Sequence, residues 1–161
     1  RIEGASKLDW AVLAGLPLES IDLTGCPLSG IPLNVRSFPR LQNLILKDTG
    51  VSELSFVRLM PMLSSLDISG TGITDLTPLA ICRRLQSLEA ERQPLENLRT
   101  LAFLPLARLT ISPMLIPDKA ALNGLKSLKT LRVLRAPDDP KDQPAPEFWK
   151  KLEAGIYETG G

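Results

Sequence analysis

A short pattern, L-x-x-L-x-L with aliphatic substitutes, recurs along most of the chain. It reads Leu18-Ile21-Leu23, Leu41-Leu44-Leu46, Leu63-Leu66-Ile68, Leu85-Leu88-Ala90, Leu106-Leu109-Ile111 and Leu128-Leu131-Val133. The starts lie 23, 22, 22, 21 and 22 residues apart. Register this constant over six copies means one small unit stacked many times. In each copy the last two apolar residues are two apart, so both face the same side of a strand. Such a strand is too short to stand alone. Pairing successive copies in parallel buries the leucines as a continuous column. Leucine makes up 31 of the 161 residues while aromatics are only 4%, so leucine must build the core. Each buried leucine contributes roughly 1.5–3 kcal/mol.

The periodicity continues past the strand. Ten residues after each start stand Leu28, Val51, Ile73, Leu95 and Ile116. Three residues later come Ile31, Leu54, Leu76 and Leu98, with Lys119 in the fifth copy. In Asp75-Leu76-Thr77-Pro78-Leu79-Ala80 a capping residue and a proline precede a helical turn. Short α or 3₁₀ turns are therefore expected on the outer side.

The best copy, LSSLDISGTGITDLTPLAICRR at residues 63–84, resembles a leucine-rich repeat. Its ITDLTPLA stretch is similar to the 22-residue repeats of bacterial internalins and related intracellular proteins. The resemblance covers about residues 8–136. It implies an α/β solenoid: one curved parallel sheet of about six strands with short helical or irregular convex turns. It also implies a binding module, because this repeat serves many partners.

The chain departs from the family at the ninth repeat position, where asparagine usually bonds neighbouring turns. That row here is Cys26, Thr49, Thr71, Gln93, Met114 and Ala136. Thr bonds backbone, Cys only weakly, Met and Ala not usefully. Regular turns are expected in the first three repeats, with loosening toward the C-terminal end. The organisation reads as an N-terminal cap at 1–17, repeats at 18–136, and a Pro-rich loop with a capping helix at 137–161. The first cap would cover the first strand, with Trp10 in the core or on the cap. At the other end Phe148, Trp149, Leu152 and Ile156 would fold over the open solenoid or dock a partner. Open ends need such covers.

The tail, EFWKKLEAG after a Pro-rich loop, is similar to C-terminal regions of some bacterial serine/threonine kinases with leucine-rich repeats. That resemblance implies an accessory or regulatory module of a longer signalling enzyme. The chain itself carries no Gly-rich phosphate loop, no HRD and no DFG. It begins with Arg and reads as a piece of a longer polypeptide or a processed chain.

Composition narrows the chemistry. There is no histidine, which removes the usual general base and imidazole ligand. Net charge is +1, with no polybasic arm. No apolar run approaches the roughly 18 residues of a membrane span. Two cysteines, Cys26 and Cys82, are too few for a disulfide scaffold or zinc site and read as buried small hydrophobes. The absence of cysteine-rich caps favours a cytoplasmic protein. No cofactor, metal, nucleic acid or membrane is expected as a partner.

Residues between the leucines point to the concave face. The central row is Asp22, Ile45, Asp67, Glu89, Thr110, Arg132. Before it runs Ser20, Asn43, Ser65, Ser87, Arg108, Thr130, and after it Thr24, Lys47, Ser69, Glu91, Ser112, Leu134. Asp67 and Glu89 fall on adjacent strands about 5 Å apart. Such a pair could raise a pKa, bind a metal or act in hydrolysis, but the face is open and no third ligand or nucleophile supports it. The alternatives are a solvated face and an interaction hot spot. Acidic residues sit in the first four repeats, whereas Arg108, Lys129, Arg132 and Arg135 cluster in the last two. The reading is a non-catalytic protein-interaction module working through Asp22, Asn43, Asp67, Glu89, Glu91, Arg108 and Arg132. A plain structural spacer is the further alternative.

Overall fold

The computed structural model describes residues 13, 16–28, 31, 38–116, 118–127, 133–135 and 143–156. Its strands are β1 (Ser20–Asp22), β2 (Asn43–Ile45), β3 (Ser65–Asp67), β4 (Ser87–Ala90), β5 (Arg108–Ile111), β6 (Val133–Arg135) and β7 (Gln143–Pro144). They form one sheet in chain order. From β1 to β6 every pair is parallel, and β7 runs antiparallel to β6. Ile21, Leu44, Leu66, Leu88 and Leu109 stand side by side in register and are all buried.

The return segments are 3₁₀ turns at Ser55–Leu59, Thr77–Ile81 and Leu98–Phe103. Their apolar anchors Val51, Leu54, Ile73, Leu76, Leu95 and Leu98 are all buried in the same core. Two rows of aliphatic residues, one from strands and one from turns, thus close on each other in the second, third and fourth repeats. This is the solenoid expected from the spacing. Among the described residues no helix is long and apolar enough to cross a membrane.

Strands β1 to β4 each leave through a left-handed corner. Gly25, Asp48, Gly70 and Arg92 occupy the same repeat position, with φ of 68°, 57°, 65° and 66°. The fifth copy has Pro113 there. Proline holds φ near −65° and cannot make this corner. The chain instead enters a 3₁₀ turn, Pro113–Leu115, and then helix α1 (Lys119–Gly124), which runs on into a 3₁₀ turn at Leu125–Ser127.

This detour lengthens the fifth repeat. β6 pairs Leu134 with Leu109 and Arg135 with Thr110, so its frame starts at Leu131. The sixth strand therefore lies three residues later than the start at Leu128 implied. The irregularity falls at the repeat where Pro113 replaces the left-handed corner.

The C-terminal helix α2 (Ala145–Glu153) packs on β6 and β7. Phe148 is fully buried in the core, and Trp149 stands edge-on to it at 5.1 Å. Leu152 packs against the core as well, but Ile156 is 57% exposed and covers nothing. Lys126 ties α2 back to the array by an ion pair to Glu153 at 2.5 Å. Trp10 lies outside the described residues.

Candidate interaction surface

The strand register fixes the concave rows. Asp67 is aligned with Glu89, and Ile45 with both Asp22 and Asp67. Asp22, Asp67, Glu89, Glu91 and Arg108 are half-buried, and Asn43 is exposed. Six of the seven proposed residues therefore lie together on the inner face of β1 to β5 or at its rim. Arg132 lies outside the described residues. The shifted frame puts Arg135, not Arg132, in register with Thr110.

Two of the acids also have a local structural task. Asp22 Oδ1 accepts from the N–H of Thr24 at 3.0 Å and from its hydroxyl at 2.7 Å. Asp67 Oδ1 accepts from the N–H of Ser69 at 2.8 Å. Each carboxylate thus caps the turn that leaves its strand. The sequence signal was present as Asp-x-Ser/Thr, and the same pattern recurs at Asp75-Leu76-Thr77. There the Thr77 hydroxyl, the Thr77 N–H and the Asn97 amide donate to Asp75, holding its carboxyl below its ordinary range.

The row after the acids is less open than its spacing suggested. Ser69 and Ser112 are buried. Their hydroxyl oxygens accept from backbone of the fourth repeat on either side: Glu91 N–H to Ser69 Oγ at 3.2 Å, and Arg92 N–H to Ser112 Oγ at 2.8 Å. Thr110 is buried too. The accessible concave surface is thus reduced at β5.

The ninth-position ladder survives without asparagine. Thr49 and Thr71 hydroxyls donate to the carbonyls of Leu46 and Ile68, each at 2.7 Å. Gln93 Oε1 accepts from both the N–H and the hydroxyl of Thr71 at 3.2 Å. Gln93 is 2% exposed, and its Nε2 is the buried side-chain polar atom left without a partner among the described residues. Cys26 and Cys82 are buried thiols outside any disulfide. Burial pushes the Cys82 thiol up to about 11, so it carries no thiolate near neutral pH.

One ion pair crosses the corner row. Arg92 Nη2 meets Asp48 Oδ1 at 2.5 Å, spanning from the second repeat to the fourth. Gly70 lies between them, and a Cβ there would press on both partners. The glycine is required twice, by its positive φ and by the side chains passing over it.

Residues 17–38 match the model of the Leucine Rich Repeat family. The fold is similar to the crystal structure of internalin C2 from Listeria monocytogenes, with a TM-score of 0.60 and 24% identity. That match covers 80% of this chain and 65% of the other, so this chain spans less than two thirds of that chain's length. Among curated proteins none matches. The kinase likeness of the tail is not shown by these matches.

Proposed function

We propose that this leucine-rich repeat solenoid is a non-catalytic protein-interaction module whose concave face receives the partner. The observation that carries the reading is the register itself. Asp22, Asn43, Asp67, Glu89, Glu91 and Arg108 are spread over neighbouring strands about 4.8 Å apart. Side chains on a rigid sheet lose little freedom on binding, so few contacts suffice. The acidic stretch followed by Arg108 favours a partner of complementary pattern. Two buried thiols outside any disulfide support a reducing, cytoplasmic setting.

The test is affinity capture from source-cell lysate with the whole chain as bait and a Glu89→Ala/Arg108→Ala variant as control. A protein retained by the wild type and lost with the folded variant supports the concave face. Equal retention by both baits moves the binding surface elsewhere.

A further inference from the structure

Away from the concave face, a groove of about 600 Å³ runs along the edge where the strands begin. It reaches from Glu19 in the first repeat to Pro105 in the fifth. Four strand spacings make this about 19 Å, the length of roughly six extended residues. The backbone along the edge is already committed. Gln42 and Asn43 N–H groups donate to the Glu19 carbonyl, Ser64 and Ser65 to Gln42, Gln86 and Ser87 to Ser64, and Ala107 and Arg108 to Gln86. Recognition here therefore falls to side chains.

Those side chains have a clear bias. Arg40, Arg83 and Arg84 line the groove, all exposed, and none is paired with a carboxylate among the described residues. Glu19 is the one acid of the lining among the described residues, at the first-repeat end. Met62, 38% exposed, supplies an adaptable apolar floor. Gln42 and Gln86 add amides, each with a donor and an acceptor, which match the two groups of a peptide bond.

We infer that this edge groove binds an acidic peptide segment of a partner protein in extended form. The guanidinium groups take its carboxylates in forked pairs, and the glutamine amides meet its backbone. Glu19 orients it, because the end of the segment over the first repeat must not be acidic. A nucleic acid fits less well: among the described residues the lining holds no aromatic side chain on which bases would stack.

The experiment is fluorescence anisotropy on the whole chain. The probe is a fluorescein-labelled decapeptide with three glutamates at alternate positions, against the same peptide with glutamines. The glutamate peptide should bind, more weakly as salt rises. The glutamine peptide, and an Arg40→Gln/Arg83→Gln/Arg84→Gln variant folded by circular dichroism, should each lose about tenfold in affinity. Glu19→Gln should bind no more weakly than wild type. Equal binding of the two peptides, full binding by the triple variant, or no binding up to about 1 mM overturns the proposal. So does tighter binding of a single-stranded oligonucleotide of equal charge. The peptide comparison decides even if the triple variant fails to fold.

Discussion

Replacing Gly70 with alanine isolates the corner on which the repeat turns. Gly70 has φ +65° and lies under the Asp48–Arg92 ion pair. An added Cβ would press on Asp48 Oδ1 and stand 2.6 Å from Arg92 Nη2 and 3.1 Å from Arg92 Cζ. The left-handed backbone costs a residue with a Cβ about 1–2 kcal/mol. The ion-pair side chains are 52% and 45% exposed, so pushing them apart adds only about 0–1 kcal/mol. A stiffer unfolded chain offsets about 0.4–1 kcal/mol. Gly70→Ala should therefore destabilise by about 1–2 kcal/mol, roughly 2–8 °C in Tm for a chain of this size. Urea denaturation followed by far-UV circular dichroism measures it. In an Asp48→Ala/Arg92→Ala background the collision is gone and the backbone cost remains. Gly70→Asn should then cost less than Gly70→Ala, because asparagine tolerates the left-handed region. An unchanged midpoint for Gly70→Ala, or equal costs for Ala and Asn in that background, would refute the argument.

Further outcomes follow from the ladder, the thiol and the cap. Gln93→Ala removes the acceptor of the Thr71 N–H and should cost about 2 kcal/mol in urea denaturation. Cys82 should resist a maleimide reagent in the folded chain at pH 8 and react on unfolding. Its raised thiol pKa contributes stability that is complete below the ordinary value of 9.0 and is lost as pH rises through about 11. Denaturation midpoints across that window, for wild type and Cys82→Ala, check the sign. Phe148→Ala should cost about 3–5 kcal/mol at the C-terminal end. Hydrogen exchange should show α2 and β6 losing protection while β2 to β4 keep theirs. Uniform loss across the array would count against a local cap.

The repeats were legible because burial repeats with the strand: a leucine that must be covered recurs wherever the chain returns to the sheet. That logic carried β1 to β5 and the convex anchors. It failed at the sixth copy, where two frames compete. Leu128-Leu131-Val133 and Leu131-Leu134-Ala136 both satisfy the pattern, and hydrophobicity alone does not separate them. The deciding residue was Pro113, which forbids a backbone conformation and says nothing about polarity. The candidate surface was legible in part for a related reason. Alternation places Asp22, Asp67 and Glu89 inside the curve, yet the Asp-x-Ser/Thr spacing that occupies two of them is a turn signal. The edge groove has no period of its own, because Arg40, Met62, Arg84 and Pro105 fill equivalent positions with unlike side chains.

The reach of Arg92 to Asp48 has a consequence for how the array comes apart. A stack in which each unit touches only its neighbours melts as a one-dimensional chain of links, and a break can open at any junction. A bond from the second unit to the fourth adds a next-nearest-neighbour link. Fraying that enters from either end must then open it before the third unit can go. The middle three repeats should therefore gain a small extra coupling, about 0–1 kcal/mol for a pair this exposed, and the Pro113 detour lies beyond its reach.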